Sequence, residues 1–210
     1  MHPLKLASLL LQYPSDALQA ELLAEPNPVG GRAGHRLAEF LAWYREEPLP
    51  ELQRAYVESF DFSKRNSLHL TYHTDGDSRR RGVSLLRLKQ AYAAAGQEVT
   101  DRELPDYLPL LCEFAAIAGD PGRELLAEQR VSIELIRASL REQGSRWAPV
   151  LDLVAGELPG LSRRQLARVR RLAADGPPTE EVGMEPFAPP EVMPPDGDPG
   201  SARPMVGRPE

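Results

Sequence analysis

The chain has 210 residues, enough for one domain with a substantial core. Leucine occurs 31 times and isoleucine 3 times, a balance that favours helix, because β-branched side chains prefer strands. Of the net charge of −6, five negative charges fall in residues 177–210, so bulk charge calls for neither a nucleic-acid nor a membrane-surface partner.

The 3.6-residue period of an amphipathic helix runs along most of the chain. Leu6, Leu9, Leu10 and Tyr13 fall on one face, and Pro14 stops that helix. The stretch is short, with no charged lead and no small-residue cleavage site, so it reads as a helix and not as a signal peptide. Ser15 caps a second helix carrying Leu18 and Leu22, and Pro26, Pro28, Gly30 and Gly31 make a loop. Leu37, Phe40, Leu41 and Tyr44 give a third helix. Pro50 is an early residue of a fourth, with Leu52, Tyr56 and Phe60 inward. Leu68, Leu70 and Tyr72 then alternate with Ser67, His69 and Thr71, a strand pattern, before the Asp75-Gly76-Asp77 turn. A long helix follows from Ser78, with Leu85, Leu88 and Tyr92 on one face and Gly96 past its end. The next opens at Glu103-Leu104-Pro105-Asp106 and runs to about Ala118, which puts Asp106, Leu110 and Glu113 on one face. Asp120-Pro121 starts the longest helix, with Leu126, Ile133, Ile136 and Leu140 inward, ending near Gly144. Trp147, Val150, Leu151 and Val154 mark another, and Ser162 caps a last one with Leu166 and Val169.

The expected architecture is all-α: a single-domain bundle of about nine or ten helices over residues 1–175. Residues 177–210 hold 10 prolines and 4 glycines with few large apolar groups, so 176–210 is expected to be a Pro-rich, acidic, disordered tail. The lone cysteine, Cys112, sits among Leu110, Leu111 and Phe114 and reads as a buried small hydrophobe. No apolar run approaches ~18 residues, so no membrane span is expected, and the chain is placed in the cytoplasm.

Four segments bear on chemistry. His69 and His73, followed by Asp75 and Asp77, have the spacing to share a metal on a helix. They lack the intervening glutamate of a metalloprotease and the remainder of a calcium loop. Two solvent-facing histidines beside a capped turn are the plainer reading. Arg79, Arg80 and Arg81 stand at a helix start, where they oppose the macrodipole, and Asp75 or Asp77 can offset them. Glu113 lies in an otherwise apolar run and needs a partner, either an arginine of this chain or an incoming basic peptide. No nucleophile elbow, Cys–His pair or dinucleotide loop is present, so no catalytic residue is assigned.

The run Tyr56-Val57-Glu58-Ser59-Phe60-Asp61-Phe62, followed by Ser67 through Gly82 with Leu70-Thr71-Tyr72-His73-Thr74-Asp75-Gly76-Asp77-Ser78-Arg79-Arg80-Arg81, closely resembles the hallmark stretch of NarJ-type assembly chaperones. Glu103-Leu104-Pro105-Asp106-Tyr107-Leu108 resembles their second hallmark, and Leu9-Leu10-Leu11-Gln12-Tyr13-Pro14 fits their opening. The likeness covers residues 5 to 172. The wider TorD-like group often has Glu-Pro-x-Asp-His at the second hallmark. Here the proline is shifted and Tyr107 stands where the histidine would be.

The resemblance implies an all-helical fold throughout, and a chaperone that is not an enzyme. It implies binding to the N-terminal segment of the apo catalytic subunit of respiratory nitrate reductase, with a second site on that partner. Such a chaperone keeps no cofactor and no metal of its own, and supports insertion of the molybdenum–guanine dinucleotide cofactor before the client docks at the membrane. A helical peptide with basic residues would then meet Glu103, Asp106 and Glu113, over an apolar floor of Tyr107, Leu110 and Phe114. The turn carrying Tyr72, Asp75, Asp77, Arg79 and Arg81 would complete that groove. The competing readings are a chaperone for an S- or N-oxide reductase, a metal-dependent hydrolase on His69, His73, Asp75 and Asp77, and a nucleic-acid binder on Arg79, Arg80, Arg81 and Arg87.

Overall fold

The computed structural model describes residues 1–24, 31–99 and 103–178, all within one compact unit, Met1–Glu180. The first four helices are α1 (Pro3–Leu10), α2 (Asp16–Ala24), α3 (Gly31–Glu46) and α4 (Leu49–Phe60). Proline opens α1 and α4, where its missing N–H costs nothing. The Leu4 N–H donates to the His2 ring at 3.1 Å and the Leu18 N–H to Ser15 Oγ at 3.3 Å, so the starts of α1 and α2 are capped. A 3-10 turn at Lys64–Asn66 leads into the short α5 (Leu70–Asp75) and the long α6 (Arg79–Ala94). Five more follow: α7 (Leu108–Ile117), α8 (Asp120–Glu128), α9 (Arg130–Glu142), α10 (Ala148–Gly156) and α11 (Arg163–Asp175). Among the described residues the fold is thus all-α, with eleven α-helices.

Three local expectations change. The alternation over Leu68–Tyr72 yields only an isolated antiparallel bridge, His69 to Tyr107, and the chain turns helical from Leu70. The helix expected from Glu103 begins at Leu108 instead, because the Asp106 carbonyl is taken by the Leu70 N–H at 3.0 Å and the Leu108 N–H goes to Leu68 O at 2.8 Å. Asp106 therefore shares no helix face with Glu113. The long helix from Asp120 is broken at Gln129, whose backbone leaves helical geometry at φ −86 and ψ 9. The break has a packing reason: α8 lies on α7, whereas α9 faces α10, α11 and α5, and one straight helix does not serve both. Of the expected loop, Pro26, Pro28 and Gly30 lie outside the described residues while Gly31 opens α3, and of the expected tail at 176–210 residues 179–210 lie outside them.

The core centres on Trp147, which is fully buried and donates its indole N–H to Leu10 O at 2.9 Å. Phe40, Trp43, Tyr56 and Phe60 ring it at centroid distances of 5.4 to 5.9 Å. Helix α1 packs between α7 and α10, bringing Leu4, Leu6, Leu9 and Leu10 inside. Gly122 allows α8 to lie close on α7, since a Cβ there would stand 2.7 Å from Ala115 Cα. Helix α11 docks on α9 through a separate cluster of Val131, Val169 and Leu172. Its first turn is closed by a reciprocal Ser162–Gln165 capping box. Among the described residues no helix is long and apolar enough to cross a membrane.

Candidate functional site

Two distant segments, 67–75 and 103–108, are fastened to each other by Asp106. Its side chain has no solvent exposure. The carboxylate accepts from the Thr71 N–H at 3.2 Å, from Thr71 Oγ1 at 2.5 Å and from His69 Nδ1 at 3.2 Å, and Arg81 Nη2 stands 3.9 Å away. Helix α5 has no side-chain cap of its own at His69, so Asp106 caps it from across the chain. Burial alone would raise this carboxyl. The hydrogen bonds from His69 and Thr71, with the charges of His69 and Arg81, instead hold it below the ordinary carboxylate value.

Tyr107 follows directly and is half-buried. It lines two hollows. One, of about 470 Å³, is lined by Tyr56, Phe60, Asp61 and His69. The other, of about 370 Å³, is lined by Ser8, Gln12, Tyr13, Glu103, Leu110 and Glu113. Aromatic rings form much of the wall: Tyr13 meets Tyr56 edge-on at 5.5 Å and His69 stacks on Tyr107 at 5.4 Å. Phe62, next in the chain after Asp61, is 79% exposed. Burial raises the Tyr107 phenol, its hydrogen bond with Tyr56 lowers it, and the negative charges of Glu103 and Asp61 raise it further. Both carboxylates thus bear on the same ring from opposite sides in the sequence. Glu113 finds a lysine of its own chain, Lys5 Nζ at 2.5 Å, and keeps its side chain 41% exposed.

Of the residues singled out from sequence, Glu103, Tyr107, Leu110 and Glu113 come together in this double hollow. Asp106 stands behind it, spent on the internal fastening. Phe114 is core, packed on Tyr92 at 4.4 Å. Tyr72, Asp75, Asp77, Arg79 and Arg81 do not line it. Tyr72 borders another hollow, of about 340 Å³, with His73, Leu135 and Leu172, and its ring lies under Lys64 and Arg81 at 5.8 and 5.9 Å. Asp75 accepts from Ser84 Oγ at 2.6 Å; Asp77 pairs with Arg81 at 3.5 Å and Lys64 at 4.0 Å. Asp61, Phe60, Tyr56 and Tyr13 join the site without having been assigned to it. The signal for them was the run Tyr56 to Phe62, in which two aromatics flank an acid at a helix end. His69 and His73 do not converge on a shared ligand: one ring faces Asp106 and the other the Ser67 carbonyl, at 2.8 Å. Among the described residues no group of three His, Cys, Asp or Glu side chains is placed to hold a metal ion. What the double hollow offers chemically is an aromatic floor with Asp61, Glu103 and Glu113 along it, Lys64 lining the same hollow as Asp61 and Lys5 paired with Glu113, so that Glu103 is the acid left to meet a positive charge on an apolar segment.

A family model described as nitrate reductase delta subunit matches residues 28–152. The probable nitrate reductase molybdenum cofactor assembly chaperone NarJ of Bacillus subtilis is 34% identical over 166 residues, covering 75% of this chain and 89% of that protein. The nitrate reductase molybdenum cofactor assembly chaperone NarJ of Escherichia coli K12 is 32% identical over 161 residues, 73% of this chain and 68% of that protein. The nitrate reductase-like protein NarX of Mycobacterium tuberculosis H37Rv is 35% identical over 161 residues, which make up 24% of its length.

Proposed function

The chain belongs to the nitrate reductase delta subunit family, and from that premise we propose that it is an assembly chaperone for a respiratory nitrate reductase. It binds the N-terminal segment of the apo catalytic subunit and holds that client competent to receive its molybdenum–guanine dinucleotide cofactor. In this reading the chain is a holder of a client and not a catalyst, and the cofactor is the client's cargo.

The observation that carries the proposal is the double hollow at Tyr107. An amphipathic peptide helix lays its apolar face on a floor of aromatic rings and leucine, here Tyr13, Phe60, Tyr107 and Leu110. Glu103 at the rim, with Asp61 and Glu113 beside it, meets lysine or arginine on the peptide and sets its direction more than its affinity. Asp106 has a positioning role: it keeps Tyr107 against His69 and so keeps the two hollows joined.

The test is a calorimetric titration with a peptide of about 30 residues from the N-terminus of the client catalytic subunit. One peptide per chain is expected, at micromolar affinity or tighter, on the order of −8 kcal/mol. Asp61→Lys and Glu103→Lys should each weaken binding by about tenfold, the scale of one rim charge pair turned repulsive. Absence of binding by a correctly folded helical chain would remove this reading.

A further inference from the structure

A second cleft, of about 680 Å³, lies where α11 runs past the start of α6 and the α8–α9 break. Four arginines line it: Arg80, Arg164, Arg168 and Arg171. Among the described residues none of the four has an ion-pair or hydrogen-bond partner in the chain, and all are exposed. The one acid in the lining, Glu128, is already engaged by Arg87 at 3.0 Å. Arg80 and Arg164 also sit in the first turns of α6 and α11, where a positive charge opposes the helix dipole. Arg164 and Arg168 are a like-charge i,i+4 pair, which destabilises a helix. The fold therefore gathers cations where they cost stability and, among the described residues, leaves them without counter-charge.

We infer that this cleft is a second docking site that takes an acidic segment of a polypeptide client, an inference that rests on the chaperone reading. Its length decides the class of ligand. Arg164, Arg168 and Arg171 stand on one face of α11, about 6 and 10.5 Å along the axis at 1.5 Å per residue. Such a row is longer than one phosphate or diphosphate and matches carboxylates repeated at the same i, i+4, i+7 spacing. Val131 and Leu172 give the cleft an apolar floor between the guanidinium heads. The chaperone then has two surfaces of opposite sign, and a client holding both a basic and an acidic segment is gripped in one orientation.

The experiment uses the full chain and two fluorescein-labelled synthetic peptides of equal composition. One carries glutamates at i, i+4 and i+7; the other carries the same residues in scrambled order. Anisotropy should show tighter binding of the first by at least about fivefold, weakening as salt rises. Arg168→Glu with Arg171→Glu should cut that affinity by about tenfold or more. The helical circular dichroism should not change, nor should the titration with the basic client peptide, so the failure of either site is told apart from the other. Arg168→Lys with Arg171→Lys should retain most of the binding. Equal affinity for both peptides, or no loss in the Glu variant, overturns the inference. Displacement of the peptide by micromolar pyrophosphate assigns the cleft to a phosphate-bearing small molecule and overturns it as well.

Discussion

Asp106→Ala tests the fastening between the two hallmark segments. The wild-type carboxylate satisfies two donors on Thr71, which is 2% exposed, and one on His69, whose side chain is 35% exposed. Removing it strands the Thr71 N–H and hydroxyl away from water, while the His69 ring can turn to solvent. A buried donor left without a partner costs about 1–3 kcal/mol, so two of them set a loss of roughly 2–6 kcal/mol. Urea unfolding followed by far-UV circular dichroism would measure it, with an unchanged m-value confirming the same transition. Acid adds a second readout. The folded-state pKa of Asp106 lies below the unfolded one, so its contribution is present above the unfolded value, near ~3.9, and is lost as pH falls through the folded value. The Ala variant lacks this part of the acid-induced loss. If Asp106→Ala unfolds within about 0.5 kcal/mol of wild type, a level typical of surface changes, the capping of α5 by Asp106 is wrong.

Other outcomes follow from separate places in the fold. Gly122→Ala should destabilise by about 1–3 kcal/mol, because the new Cβ would stand 2.7 Å from Ala115 Cα and from Phe114 O. Gly82→Ala, with nothing within 4 Å on an exposed turn of α6, should raise the melting temperature; the two together test packing against helix propensity. Cys112 is fully buried and its thiol is pushed up by burial, so a thiol reagent at pH 8 should label it only at the rate of unfolding, and fast labelling of the native chain would contradict the burial. A chain ending at Pro178 should unfold with the cooperativity of the full chain in a urea titration. Such a chain keeps the Pro178 carbonyl that lies against Gly76, where a Cβ would meet it at 1.8 Å.

Apolar spacing made α1 to α4, α10 and α11 readable, because each is one straight helix whose apolar period is not interrupted by a change of partners. It failed where one stretch serves two sets. Leu126, Ile133, Ile136 and Leu140 keep helical spacing straight through Gln129, and only the different partners of α8 and α9 bend the chain there. Asp106 after Pro105 looks like a local helix cap; its carboxylate caps a helix 35 residues away, which no local pattern records. The site divided the same way. Glu103, Tyr107, Leu110 and Glu113 are close in sequence and were found together. Asp61 reaches the same ring from the end of α4, and Tyr13 from just past α1, through contacts that exist only after folding.

The ring of aromatics around Trp147 also makes the protein its own optical instrument. The chain has two tryptophans, Trp43 and Trp147, and their rings are 5.4 Å apart. Nearly all indole emission therefore comes from one spot in the core. Tyr56 touches that spot, 5.6 Å from Trp147, and also lines the hollow beside Tyr107. If a client docks there as proposed, it presses one ring away from the emitter, and its arrival would be followed by emission without any label. Helix α11 has no aromatic residue and docks through Val131, Val169 and Leu172, so the emission carries no report on its docking.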